Sequence, residues 1–244
     1  MDRGIYPLVA AAVGQERHLD ILTGNLANIQ TTGYRREKAL FKTLLAKSVA
    51  GSAGPKTGTD KLFPQLTRTF TDWKEGVVGP TGNPLDMALN GEGFFELQAP
   101  NGKRHEYTRN GSFTLNENRE LTTRDGALVM GQNGPLQIPV GKMTVNDKGE
   151  ILVNDAAVGA VKVVKFQDLA SAVRIGDRFL TSKDVVPAPD TRVVGEALEG
   201  SNVNPVEEFA RLIEITRHYE SILKVVQAMD DQERQAASEI GRPV

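Results

Sequence analysis

Between Val206 and Ile240 the chain contains neither glycine nor proline. Such a run of about 35 residues corresponds to roughly 50 Å of helix at 1.5 Å per residue. Its apolar residues keep helical time. Leu212, Ile215, Tyr219, Ile222, Val226, Met229, Ala236 and Ile240 step by three and four, with Glu233 as a break. A helix of that length is unusual for a chain of 244 residues, so it constrains the fold more than any other feature. Its start is signalled twice. Ser201 or Asn202 can cap it, and Asn204-Pro205 offers a second choice with proline in the first turn.

The other end of the chain carries a similar stripe. Ile5, Leu8, Ala12, Gln15, Leu19, Leu22, Leu26 and Ile29 step by three and four, interrupted only by Gln15 and widened by Val9 and Val13. Pro7 is tolerable only in a first turn, which places the helix start near Ile5. An ordinary core-facing helix carries such a stripe too, but its 3.5-residue narrowness favours a coiled-coil seam. The helix stops in Asn25-Leu26-Ala27-Asn28-Ile29-Gln30-Thr31-Thr32-Gly33-Tyr34-Arg35. Gly33 is placed to take the left-handed conformation after the last turn, and Tyr34 restarts the chain in a new direction.

Between these ends the periodicity changes. Residues 35–47 continue helically for a few turns on the strength of Ala39-Leu40, Leu44 and Leu45. Residues 48–60 are rich in Ser, Gly, Pro, Thr and Ala and read as a flexible loop. β character returns around Leu66 to Trp73. From Leu85 to about Gly195, Asn-Gly and Asp-Gly pairs at 90–91, 101–102, 110–111, 125–126 and 133–134 separate short β-rich runs, an all-β pattern of hairpins. The predicted fold class is α+β, with long N- and C-terminal helices packed as a coiled-coil-like pair and an inserted all-β domain. The expected domains are an N-terminal axial helix over 1–34, a linker or extension over 35–84, a β-rich outer domain over 85–197 and a C-terminal axial helix over 198–244. Residues 1–34 and 200–244 together form an inner helical domain.

Composition narrows the function classes. With 29 basic and 31 acidic residues the net charge is −2, and no basic run is interleaved with aromatics, so nucleic acid is not an expected partner. No apolar stretch approaches membrane-spanning length, and the N-terminus lacks the basic region, apolar core and cleavage site of a signal peptide. There is no cysteine, and His18, His105 and His218 share no metal-ligand spacing. Gly91-Glu92-Gly93 lacks the third glycine of a nucleotide loop and runs into a strand. Asp230-Asp231 are helical neighbours that point apart. No catalytic residue, cofactor or metal is expected.

Three blocks resemble the flagellar rod and hook axial family. The first is Asn25 to Tyr34, with Gly24 where the family wording has a further asparagine. The second is Leu85-Asp86-Met87-Ala88-Leu89-Asn90-Gly91-Glu92-Gly93-Phe94-Phe95, followed by Tyr107-Thr108-Arg109-Asn110-Gly111-Ser112-Phe113 and Leu121-Thr122-Thr123-Arg124-Asp125-Gly126. The third is Leu198-Glu199-Gly200-Ser201-Asn202-Val203-Asn204, running into Arg217-His218-Tyr219-Glu220. Thr216 and His218 depart from that family's usual residues. The start Met1-Asp2-Arg3-Gly4-Ile5-Tyr6 and the length fit a proximal rod member, with a distal rod member second.

The resemblance implies a structural subunit of the bacterial flagellar basal body. It implies export through the flagellar type III apparatus without a cleaved signal, work in the periplasm-spanning rod, and partners that are other rod proteins and further copies of the chain. The residues expected to serve subunit assembly are Leu8, Leu19, Leu22, Asn25, Leu26, Asn28, Gly33, Tyr34, Ser201, Asn202, Val203, Leu212, Ile215, Tyr219, Ile222 and Val226. A secreted β-rich binding module with helical ends is the alternative, and an enzyme comes third.

Overall fold

The computed structural model describes residues 5–46, 61–100, 102, 104–181 and 184–240; the stretch read as a flexible loop, 48–60, lies outside them. The chain forms two compact units. One comprises Met1–Ala27, Glu37–Asp72 and Asn204–Val244; the other comprises Asn28–Arg36 and Trp73–Val203.

The first unit contains helix α1 (Ile5–Ala27), strands β1 (Glu37–Ala46) and β2 (Lys61–Thr71), and helix α2 (Pro205–Ile240). Of the two possible caps, Asn204 is used. Its Oδ1 accepts from the backbone N–H groups of Val206 (3.1 Å) and Glu207 (3.4 Å), satisfying two donors that the first turn leaves unpaired. Glu207 and Glu208 in that turn complement the helix dipole. Ile215 is buried, and Leu212, Tyr219, Ile222, Val226 and Met229 are half-buried, while the residues between them are largely exposed. Helix α1 packs on α2 and on both strands; Leu22 and Gly14 are buried, and Leu8, Leu19 and Leu26 are half-buried.

The predicted fold class is corrected here. Only two α-helices form among the described residues, of 23 and 36 residues, and the chain is predominantly β. The terminal helices are not a coiled-coil-like pair with a β domain inserted between them. They share their unit with an antiparallel two-stranded ribbon, and α2 is too long for α1 to match along its length. The helical continuation over 35–47 is replaced by β1, paired from Glu37↔Thr71 to Ala46↔Lys61 with a bulge between Leu40 and Phe41. The reason is non-local. β2 is rich in Thr, Leu and Phe, and a long ladder with it outweighs the weak helical preference of Ala39-Leu40 and Leu44-Leu45. Pro64 is tolerated in β2 because a two-stranded ribbon is all edge.

The second unit is antiparallel β throughout. Its largest sheet runs Val173–Ile175, Arg178–Leu180, His105–Thr108, Phe94–Gln98, Leu128–Gly131, Leu121–Thr122, Thr114–Leu115, and Val163–Phe166 adds to Phe94–Gln98 from the side. Met143–Val145, Glu150–Val153 and Ala156–Ala160 form a three-stranded sheet, and Ala197–Glu199 pairs with Val78–Pro80. Successive side chains on a strand face opposite ways, so Phe94 and Phe95 enter different cores. Phe95 joins Met87, Leu89, Leu97, Leu121 and Ile151, whereas Phe94 joins Tyr107, Phe166 and Phe179, with Trp73 packed on them. The Asn110-Gly111 pair is not a simple hairpin turn. A Cβ at Gly111 would lie 1.5 Å from the Met87 carbonyl oxygen, so glycine is required there by close backbone approach.

His18 gives the helical unit a pH dependence. Burial, with Arg211 of α2 adding to it, pushes its imidazole below the ordinary 6.5. The unfolded chain therefore takes up this proton first on acidification. The stability due to neutral His18 is present above pH 6.5 and is lost as the pH falls below that value towards the folded-state pKa. The melting temperature is expected to fall over that window, and less steeply in His18→Gln. Equal slopes in the two proteins would refute the assignment.

Candidate functional site

The segment after α1 is the centre of the second unit. Thr31 turns back on Asn28 through its backbone N–H (3.2 Å) and its hydroxyl, 3.1 Å from Asn28 Oδ1. Gly33 adopts φ +68°, and its N–H donates to the Glu199 carbonyl at 2.7 Å. Thr32 Oγ1 donates to Asn110 Oδ1 at 2.6 Å. Tyr34 is buried beneath the Arg174 guanidinium, 4.4 Å from the ring centre. Asn202 ties the segment to its surroundings three times. Its N–H donates to the Tyr34 carbonyl, its Oδ1 accepts from the Arg36 N–H, and its Nδ2 donates to the Lys74 carbonyl.

Buried charge lies at the middle of this arrangement. Arg35 is 1% exposed, Arg109 3% and Glu199 1%. Glu199 Oε1 accepts from Arg35 Nη1 at 2.5 Å and from the Gly76 N–H at 2.8 Å, and Glu199 Oε2 stands 3.3 Å from Arg109 Nη1. Arg109 also donates to the carbonyls of Leu89 and Gly91. Burial brings the Arg109 pKa down to about 10. Glu199 opposes this and Arg35 reinforces it. Arg109 of the second sequence block and Glu199 of the third meet here with Arg35, the residue that directly follows the first.

Asn25 performs a parallel task in the helical unit. It is buried, its Nδ2 donates to the Glu37 carbonyl (2.8 Å), and its Oδ1 accepts from the Glu37 N–H (2.9 Å). The side-chain amide thereby acts as a strand partner for the first residue of β1. The same Nδ2 lies 3.3 Å from Oε2 of buried Glu208 on α2.

The residues singled out by sequence fall into two sets. Asn28, Gly33, Tyr34, Ser201, Asn202 and Val203 lie in the β unit, where Ser201 Oγ accepts from the Val203 N–H and Val203 is buried. Leu8, Leu19, Leu22, Asn25, Leu26, Leu212, Ile215, Tyr219, Ile222 and Val226 lie in the helical unit. Sequence reasoning missed Arg35, Arg109, Glu199 and Glu208.

No group of three or more His, Cys, Asp or Glu able to hold a metal ion occurs among the described residues. None of their helices is long and apolar enough to cross a membrane. The buried network ties distant segments of the β unit to one another.

Comparison with known proteins places the chain in a family. Residues 88–153 match the family described as flagellar hook protein FlgE/F/G D1 domain, and residues 194–239 match flagellar basal body rod FlgEFG protein C-terminal. The chain is 34% identical to the flagellar basal-body rod protein FlgF of Caulobacter vibrioides, covering 99% of both chains. It belongs to the flagellar basal-body rod proteins.

Other flagellar proteins agree over similar lengths. Flagellar basal-body rod protein FlgG of Agrobacterium fabrum is 30% identical over 92% of this chain and 95% of its own. Flagellar hook-basal body complex protein FlhO of Bacillus subtilis is 26% identical over 99% and 100%. Within the rod family this chain is most like the proteins named FlgF, three of which match it over 99% of both chains. In this rod protein the C-terminal match, 194–239, takes in Glu199 and Asn202 together with most of α2.

Proposed function

We propose that this rod protein builds the flagellar rod by polymerising, with further copies of itself and with other rod proteins, into a helical tube that transmits torque across the periplasm. The observation that carries this is a second apolar stripe on α2. Val206 is 76% exposed, and Phe209 and Ile213 are each 55% exposed. Spaced by three and four, they share a face about 130° around the helix from the Leu212–Ile215–Tyr219 seam. A helix whose first apolar face is already occupied and whose second is bare is suited to a neighbouring subunit. A contact between different patches of successive subunits, with a rotation that does not close, generates a tube.

In this reading Leu8, Leu19, Leu22, Leu26, Leu212, Ile215, Tyr219, Ile222 and Val226 form the helical wall. Asn25 fixes the ribbon to it, and Asn28, Gly33, Tyr34, Ser201, Asn202 and Val203 hold the β unit's entry and exit. The subunit leaves the cytoplasm through the flagellar type III apparatus without signal cleavage, occupies the proximal rod and catalyses nothing. The full-length likeness to proteins named FlgF supports the proximal position; the likeness to FlgG keeps a distal position as the second reading.

The test is electron microscopy of basal bodies from an in-frame deletion in the native host. Rings with a missing or truncated rod, restored by the intact gene, are expected. Normal rods and normal motility in the deletion would refute the reading.

A further inference from the structure

We propose that the bare face of α2 docks antiparallel on the outer face of α1 of the next copy, with Ile213 over Gly24, Arg217 against Asp20 and Glu220 against Arg17. This rests on the assembly reading above and names the surface that α2 meets.

The direction follows from the subunit itself. Asn25, near the end of α1, bonds to Glu208 near the start of α2, and His18, earlier on α1, feels the charge of Arg211, later on α2. The two helices of one subunit are therefore antiparallel. Copies in a tube are related by rotation about its axis and translation along it, and neither reverses a helix that runs along that axis. An α1 that meets the neighbour's α2 thus meets it antiparallel as well.

In that direction the two faces match. Asp20 and Gly24 stand two residues either side of buried Leu22, and Ile213 and Arg217 stand two residues either side of buried Ile215. Two residues are about 200° of helix, so all four lie on the side away from their own seam. Arg17 lies three residues before Asp20, and Glu220 three after Arg217. Backwards along α1 the order is glycine, acid, base, at spacings of four and three; forwards along α2 it is isoleucine, base, acid, at the same spacings. Each opposed pair is complementary.

These groups are available to a neighbour. Arg211–Glu207 and His218–Glu214 pair along α2, whereas Arg17, Asp20, Arg217 and Glu220 are exposed and in no ion pair among the described residues. A Cβ at Gly24 would touch nothing within 4 Å, so packing inside the subunit does not call for glycine there, and glycine weakens a helix interior relative to alanine. Ile213, 55% exposed, fits the space that the glycine leaves. Charge selects the register. The competing apolar match, Val9 on Ile213 and Val13 on Phe209, carries Asp20 past the start of α2 and leaves Arg217 without a counter-charge.

The chain has no cysteine, so an engineered disulfide reports one contact cleanly. Asp20→Cys/Arg217→Cys is expressed in the deletion strain, and its isolated basal bodies are oxidised. Both positions face away from their own seam, so the bond joins two copies, and a ladder of linked multimers is expected. Val13→Cys/Phe209→Cys, which reports the competing register, is expected to stay monomeric. A charge exchange tests the pairing without cysteines. Asp20→Arg and Arg217→Asp each oppose like charges and are expected to cut the number of complete rods about tenfold, and the double exchange to restore at least about half of them. Complete rods that yield only monomer from Asp20→Cys/Arg217→Cys, ladders from Val13→Cys/Phe209→Cys, or a double exchange no better than the single ones overturn the pairing. In each case rods restored by the intact gene leave the rod reading standing; that reading fails only if the deletion itself leaves rods normal.

Discussion

Glu199→Ala is expected to destabilise the β unit by about 3–5 kcal/mol, the usual cost of removing one partner from a buried ion pair. The alanine leaves Arg35 and Arg109 facing each other with no buried counter-charge, and it strips the acceptor from the Gly76 N–H. The figure exceeds the net worth of the pair, because most of it is the penalty of the charges left behind. Trp73, the only tryptophan, reports the loss directly. It packs against Phe94, Phe166 and Phe179 in this unit, with a ring-centre distance of 4.9 Å to Phe179. Urea unfolding followed by its fluorescence should show a markedly lower midpoint. A change below about 1 kcal/mol, the value typical of an exposed pair, would mean that the charges are solvated.

Gly33→Ala is expected to cost about 2–5 kcal/mol, from two sources that add. The backbone sits at φ +68°, which costs an L-residue about 1–2 kcal/mol. A Cβ there would lie 2.4 Å from the Arg109 carbonyl carbon and 2.5 Å from the Asn110 nitrogen. Both are backbone atoms, so no side chain can swing away, and overpacking of this kind costs about 1–3 kcal/mol. Gly126→Ala is the control. Its φ is +86°, but nothing lies within 4 Å of the added carbon, so only the conformational cost of about 1–2 kcal/mol applies. Equal losses in the two variants would show that the Arg109–Asn110 backbone does not confine Gly33.

The sequence exposed those features whose cause is local. The uninterrupted run from Val206, the Asn204-Pro205 start and the hairpins turned at 125–126 and 133–134 each follow from residues within a few positions of one another, and each is present in the fold, whereas 90–91 and 110–111 do not join paired strands. β1 was misread because its cause is distant. Ala39-Leu40 and Leu44-Leu45 look helical until Lys61–Thr71, further along the chain, pairs with them. The central tie was illegible for the same reason. Arg35 and Glu199 are separated by 164 positions, and nothing in either neighbourhood announces that both are buried. What could be read was that three separate blocks share one family's wording. In the structure Arg109 of the second block and Glu199 of the third enter one buried network with Arg35, the residue next after the first block.

The bare face of α2 is the part of the account that assembly depends on, and Phe209→Asp probes it most directly. Phe209 is exposed, so the charge should leave the monomer folded, with unchanged circular dichroism and unfolding midpoint. The variant is to be expressed in the deletion strain and its basal bodies imaged beside those restored by the intact gene. Rings with a missing or truncated rod, from a folded and exported variant, are the result this account predicts. Complete rods and normal swimming with Phe209→Asp would contradict it.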